Sequence, residues 1–160
     1  MAKKKTVKTN AMRLLDEMNI DYVHKDLNLK EACSAEEIAV LISREPETIF
    51  KTLVTVGSDK NHYVLMVPAN GHLALKKAAR AAGVKSVEMI HQKELFGLTG
   101  YVHGGCSPLG MKKSFPVFID ESCILYDTIC FSGGKIGVQI ELDPQILIDR
   151  LSVSPADLVE

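Results

Sequence analysis

The sequence predicts a single α+β domain: a mixed, mostly antiparallel β-sheet with helices flanking it. Three observations carry this. Helical patterns interleave with hairpin-like strand pairs instead of keeping the strict βαβ rhythm of a parallel sheet. The 160 residues contain no internal repeat, low-complexity tract or linker, and that length suits one domain of about 100–200 residues. Hydrophobic residues make up 46% and charged residues 24%, the composition of a globular chain that can bury one core, which excludes wholesale disorder.

The elements follow in order. Asn10 can cap a helix running to Asn19, with Ala11, Leu14, Leu15 and Met18 on one face. Residues 21–25 read as a short strand with Tyr22 and His24 on one face and Val23 on the other. Ser34 and Glu37 form a capping box, and Ile38, Leu41 and Ile42 make the buried stripe of the helix that follows, broken at Glu45-Pro46-Glu47. Residues 48–56 are β-branched and apolar; residues 57–61 (Gly-Ser-Asp-Lys-Asn) turn the chain, and 62–67 return as the partner strand before Pro68. A helix is predicted over 72–82, ending at Gly83, then a strand over 85–89 and a short helix over 92–96 ending at Gly97. Residues 100–110 are a loop by composition. Strands follow at 116–120, 127–131 and 137–142, then a helix over 144–151 with Asp143 as cap and Pro144 in its first turn. The segment from Ser152 has no clear pattern.

Composition narrows the function classes. With 19 Lys+Arg against 20 Asp+Glu the net charge is -1, which argues against bulk, sequence-blind nucleic-acid binding but permits a local basic patch. No apolar run is long enough to span a membrane. The start, MAKKKTVKTN, lacks the apolar stretch of a secretory signal, and residues 1–8 read as a flexible basic tail. The four cysteines, at 33, 106, 123 and 130, form no C-x-x-C pair and have no His pair at finger spacing. The expectation is reduced thiols in a cytoplasmic protein, most of them small core hydrophobes, with no metal. The five histidines (24, 62, 72, 91, 103) show no H-E-x-x-H spacing, and only His103 falls in a loop of unusual composition.

Four features can carry chemistry. Lys51 interrupts an apolar strand. Either it lies on the solvated face of an edge strand, its stem along the sheet, or its amine projects into a pocket to meet an anionic or carbonyl oxygen. Four glycines and one proline within residues 100–110 describe either a tight structural turn or a backbone that approaches a ligand closely at Gly104-Gly105 and aims N–H groups at it. It is neither a G-x-x-x-x-G-K-S/T phosphate loop nor G-x-G-x-x-G. Ser132-Gly133-Gly134 is a hairpin turn, or a second wall of the same cleft. Cys106 could be a nucleophile, but no base is paired with it in the sequence. Lys76, Lys77 and Arg80, Lys112-Lys113, and the tail lysines Lys3, Lys4, Lys5 and Lys8 are either ordinary solvated charges or one phosphate-facing side. Trp is absent and aromatics are 6%, which weakens a stacking platform.

The specific sequence goes further. Phe50-Lys51-Thr52-Leu53-Val54, then Gly100-Tyr101-Val102-His103-Gly104-Gly105-Cys106-Ser107-Pro108-Leu109-Gly110, then Ser132-Gly133-Gly134-Lys135, resemble the YbaK/EbsC family, related to the editing domain inserted in bacterial prolyl-tRNA synthetases. The resemblance spans nearly the whole chain and includes Leu75-Lys76-Lys77, Val87-Glu88-Met89 and Ile140-Glu141-Leu142. It implies a trans-editing aminoacyl-tRNA deacylase, acting first on Cys-tRNA(Pro), without metal or other cofactor. The implied partners are the acceptor end of aminoacylated proline tRNA and prolyl-tRNA synthetase; monomer and dimer both stay open. Carried across position by position, Lys51 would be the essential lysine, and Gly104 and Gly105 would supply backbone donors at the scissile ester. Tyr22, Thr52, Tyr101, Ser107, Ser132, Gly133 and Gln139 would line the substrate pocket. For a cysteinyl ester the family is proposed to use the substrate's own thiol, releasing a thiolactone. Some cysteine-specific relatives carry Asp where this chain has Gln139, which opens the choice between cysteine and alanine. Cys106 falls at a variable position of the loop. A non-catalytic module that binds the tRNA acceptor end is the alternative.

Overall fold

The structure is a computed structural model and describes residues 8–160; the predicted basic tail, with Lys3, Lys4 and Lys5, lies outside them except for Lys8. Its elements are α1 (Asn10–Glu17), β1 (Val23–Asp26), α2 (Ala35–Leu41), β2 (Ile49–Gly57), β3 (His62–Pro68), α3 (Leu75–Ala82), β4 (Val87–Met89), α4 (Leu95–Thr99), β5 (Val117–Asp120), β6 (Ile129–Ser132), β7 (Val138–Leu142), α5 (Pro144–Arg150) and β8 (Val153–Ala156). Short 3-10 turns occur at Pro46–Thr48, Gln92–Glu94 and Glu121–Leu125.

The strands form one mixed sheet in the order β1-β7-β6-β2-β3-β5-β8, with β4 added to β2. The β1–β7, β2–β3, β2–β4 and β6–β7 pairings are antiparallel, and β2–β6, β3–β5 and β5–β8 are parallel. The sheet is therefore mixed and mostly antiparallel, as the sequence predicts. One face carries the largest core, where Leu15, Phe50, Met66, Ile119, Phe131, Ile140 and Leu147 are packed together. On the other face Leu65 and Val67 pack with Ala78 and Ala79 of α3, and Ile38 and Ile42 of α2 pack with Ile49 and Cys130. No helix of the described residues is long and apolar enough to cross a membrane.

Local signals place most boundaries. The Ser34–Glu37 capping box forms in both directions, and the Asp143 carboxylate accepts the Gln145 N–H at 2.8 Å to start α5. Five details differ from the sequence reading. Thr9, not Asn10, caps α1, its hydroxyl accepting the Met12 N–H. Leu41 points outward, 53% exposed, and Ala39 takes its place in the buried stripe. The α3 helix starts only at Leu75, because residues 72–74 are drawn into a bridge with the chain's last residues through Leu73 and Val159. Gly97 lies inside α4, which ends instead at Gly100 with φ 79°. The segment after Ser152 contains β8, whose Val153 is 2% exposed. Its serine- and proline-rich sequence masks a strand that only pairing with β5 at the sheet edge reveals.

The arrangement that positions the site is at β2. Along one edge it pairs continuously with β3, from Phe50↔Pro68 to Val56↔His62. Along the other it pairs with β6 only at Ile49 and Phe50, and with β4 only from Thr55 to Gly57. Between them residues 51–53 face a gap in the sheet, which the Ile90 N–H bond to the Val54 carbonyl closes on the β4 side.

Candidate active site

A cavity of about 370 Å³ opens at that gap. Its walls are the β2 segment from Ile49 to Val54, Ser132 and Gln139 from the β6–β7 hairpin, His103, Gly104 and Cys106 from the glycine loop, and Cys33, Ala35 and Ile38 from the start of α2. Met89, Ile90, Gln92 and Leu95 close the remaining side.

Thr52 is the strand residue most available to a ligand. The Gly57 N–H bonds the Asn61 carbonyl and the Ala69 N–H bonds the Ile49 carbonyl, so odd-numbered residues turn their main-chain groups toward β3. By alternation the main-chain N–H and C=O of Thr52 point into the gap, where no strand pairs with them. The Thr52 hydroxyl is buried without a hydrogen-bond partner, and so is Gln139 Oε1 on the facing wall. Unpaired buried polar atoms are costly, about 1–3 kcal/mol each, and two of them in one cavity describe a surface shaped for a polar ligand.

Lys51 is half-buried at the cavity. β2 is an interior strand, so the edge-strand reading of this lysine is corrected, and the pocket-facing alternative describes where it sits. Its Nζ donates to the Ala69 carbonyl at a long 3.4 Å, and no carboxylate pairs with it among the described residues. The ammonium is held by one weak contact and is free to bind an oxygen of a ligand.

The two glycine segments interlock. A Cβ on Gly105 would stand 2.8 Å from the Ile136 nitrogen and 2.9 Å from the Lys135 carbonyl carbon. Only glycine lets the backbones touch there. Gly104 has φ +83°, and a Cβ on it would lie 2.5 Å from Ala32 Cβ. Its own N–H has no acceptor among the described residues, whereas the Gly105 N–H donates to the Val102 carbonyl at 2.9 Å. The expectation that both glycines offer donors is thus corrected: the Gly105 N–H is used inside the loop, and Gly104 alone keeps one.

Other predicted pocket residues have structural tasks. Tyr101 is 4% exposed and its hydroxyl donates to the Leu109 carbonyl at 2.7 Å. Ser107 is 0% exposed and its hydroxyl accepts the Leu109 N–H. Gly133 donates its N–H to the Val138 carbonyl and leaves room for the Val138 side chain, 2.7 Å from where a Cβ would be. These three shape the loops and do not line the cavity. Tyr22 does not line it either; it stands beside His24, ring centroids 6.1 Å apart, against the main core. Ser132 does line it, accepting the Gly134 N–H at 3.3 Å, so the hairpin-turn and cleft-wall readings hold together.

Cys106 lines the cavity at 8% exposure, and burial pushes its thiol up to about 11. A thiol so protonated is a poor nucleophile at neutral pH. Of the basic residues, Lys77 is engaged with Asp157 and the Val159 carbonyl, while Lys76 and Arg80 are exposed one turn apart on α3. No cluster of three or more His, Cys, Asp or Glu side chains suited to a metal occurs among the described residues. Sequence reasoning missed Cys33, Ile90 and Gln92 as cavity residues, and it read Met89 only as part of a strand; all four reach the cavity through the fold.

Comparisons with known proteins agree with this geometry. Residues 30–149 match the family model described as aminoacyl-tRNA editing domain. A protein of Enterococcus faecalis (strain ATCC 700802 / V583) named "Putative Cys-tRNA(Pro)/Cys-tRNA(Cys) deacylase EbsC" is 47% identical over 150 residues, which cover 92% of each chain. A crystal structure described as "a putative trans-editing enzyme for prolyl tRNA synthetase" is 26% identical with a TM-score of 0.83, covering 97% of this chain and 99% of that one. A hypothetical protein of known structure, 20% identical with a TM-score of 0.86 over 95% of this chain and 100% of its own, shares the fold.

Proposed function

The chain belongs to the aminoacyl-tRNA editing domain family, and from that membership we propose that it deacylates mischarged tRNA, with Cys-tRNA(Pro) first among its substrates. The observation that carries this is the pairing of an ammonium without a carboxylate partner, Lys51, with the unbonded N–H of Gly104 across one cavity.

The scissile bond is an ester between the amino acid and a ribose hydroxyl. Its carbonyl oxygen gains negative charge in the tetrahedral intermediate, and a fixed N–H with an ammonium nearby stabilises that charge. Lys51 holds the carbonyl or the adjoining ribose and phosphate oxygens. Thr52 and Gln139 offer acceptors to the substrate's α-ammonium group. For a cysteinyl ester, the substrate sulfur attacks its own carbonyl carbon. The carbon–ribose oxygen bond breaks, and the thiol proton ends on the departing ribose oxygen, leaving a thiolactone. The enzyme's share is positioning and charge stabilisation, consistent with the protonated state of Cys106 and with a cavity that contains no Ser-His-Asp set. An alanyl ester has no thiol, and water must attack instead.

The 26%-identical structure described as a trans-editing enzyme for prolyl tRNA synthetase supports that synthetase as a partner that delivers the tRNA. A net charge of -1 gives little grip on a polyanion, so the chain alone binds tRNA weakly. The test compares Cys-, Ala- and Pro-tRNA(Pro) with wild type and Lys51→Ala. Lys51-dependent loss of cysteine alone is the expected result. Loss of alanine instead keeps the reaction class and shifts specificity to Gln139. Saturable, salt-sensitive binding with no hydrolysis of any of the three makes the chain a binding module and overturns the deacylase reading.

A further inference from the structure

A second, more open cavity of about 640 Å³ adjoins the first, and Lys51, Leu53 and Met89 line both. The two meet at those three residues, beside the unpaired stretch of β2. Lys51 and Leu53 pair with Val67 and Leu65, so they lie on the face of the sheet that α3 covers. The second cavity is on that face, with Leu73, Leu75, His72 and Glu160 as its own walls.

This wall is tied to the chain's last residues by backbone bonds. Leu73 bridges to Val159, the Ala74 N–H bonds the Leu158 carbonyl at 2.8 Å, and the Glu160 N–H bonds the His72 carbonyl at 3.0 Å. Leu75 and Met89 nonetheless present large apolar side chains at 42% and 46% exposure. Charge is split: Lys51 stands at the junction, and the Glu160 carboxylate on the outer wall. A phosphate suits the junction and is repelled by the outer wall. A flat, uncharged heterocycle with an amino group suits the outer wall, with apolar side chains to lie on and a carboxylate to accept its N–H.

An aminoacyl group in the first cavity is esterified to the ribose of a terminal adenosine, whose base must lie one ribose away. We propose that the second cavity is the nucleobase subsite for that adenine, with the ribose straddling Lys51. This rests on the deacylase reading. It makes the protein a reader of the aminoacyl-nucleoside as a unit.

The test uses two small esters, cysteinyl-adenosine and the cysteinyl ester of the same sugar without a base. Wild type is expected to prefer the adenosine ester in kcat/KM by about tenfold, the factor expected from burying one base against the apolar side chains of Leu73, Leu75 and Met89. Leu75→Asp is expected to bring that ratio toward one. Position 75 is the first residue of α3, where a carboxylate favours the helix, and Leu75→Asn repeats the loss of the apolar surface without the charge. A wild-type ratio near one, or a ratio unmoved in both folded variants, overturns the subsite while leaving the deacylase reading intact. If neither ester nor Cys-tRNA(Pro) is hydrolysed, the deacylase reading falls and the subsite with it.

Discussion

β2 and β3 are neighbours with nearly the same apolar, β-branched composition, yet one is scaffold and the other is site. Every residue of β3 from Tyr63 to Pro68 is buried, with β2 along one edge and β5 at Val64, Leu65 and Met66 on the other. β2 has the same partner on one edge, but Lys51, Thr52 and Leu53 remain half-buried because its other edge is shared between two short strands that leave a gap. The difference lies in what each strand is given to pair with. On β2 the unpaired stretch opens on the cavity.

The sharpest way to break that comparison is a pair of variants across the hairpin. Lys51→Ala is expected to lower kcat/KM by about 100- to 1,000-fold, the usual cost of removing one group that stabilises an oxyanion. Its melting temperature should stay within about 2 °C, because Lys51 has no ion pair and one long hydrogen bond. Leu65→Ala, at a 0% exposed position, should do the reverse: about 2–5 kcal/mol of stability lost, with turnover per folded molecule kept. Denaturant unfolding and single-turnover deacylation read both. A Lys51→Ala protein that unfolds, or a folded one that still turns over, would erase the distinction.

Next in size is the contact between the glycine segments. Gly105→Ala forces a Cβ against the backbone of Lys135 and Ile136. The loops must part, at about 1–3 kcal/mol, and since displacements near 1 Å can cost about 100-fold in rate, turnover should fall at least tenfold. Gly83→Ala is the matched control far from the cavity. Its φ of +73° strains any side chain by about 1–2 kcal/mol, but nothing stands within 4 Å of the added Cβ, so turnover should not change. Equal kinetic losses in both would mean that the interlocked loops are not what positions Gly104.

Smaller still is the effect of Thr52→Val. It removes a buried hydroxyl with no partner, so stability is expected to rise by about 1 kcal/mol while kcat/KM falls several-fold. That opposition of signs marks an atom kept for a ligand. A variant that loses both stability and activity would show instead that the hydroxyl serves the fold.

Much of this was legible in the sequence, and the failures have physical reasons. The hairpin, the capping box at Ser34 and Glu37 and the Asp143 cap are local signals whose residues meet within a turn of one another. Lys51 was legible as an anomaly, polar among apolar neighbours, but not as an interior residue, since strand order depends on β6 and β4, far away in the chain. Tyr101, Ser107 and Gly133 belong to a readable motif whose residues divide between lining and bracing, and only the hydrogen bonds of Tyr101 and Ser107 to Leu109 show them bracing. Cys33 and Gln92 had no signal at all; they meet the cavity because α2 and the turn before α4 close over it.

The thiols give the smallest effect and the last test of site against scaffold. Burial pushes Cys106, Cys123 and Cys130 each up to about 11 from an ordinary value near 9. Between those values the unfolded chain has lost protons that the folded chain still holds, so stability is fully present below about pH 9 and declines as pH rises toward 11. Thermal unfolding from pH 7 to 11 should show that decline, and Cys106→Ser should make it shallower while Cys123 and Cys130 keep the rest. Turnover of the same variant near pH 7 should stay within about threefold of wild type, because a thiol that remains protonated there has no nucleophilic part to play. Cys106 would then belong with β3, as packing that happens to face the cavity. A loss as deep as that of Lys51→Ala would place it in the chemistry and replace the substrate's thiol with the protein's own.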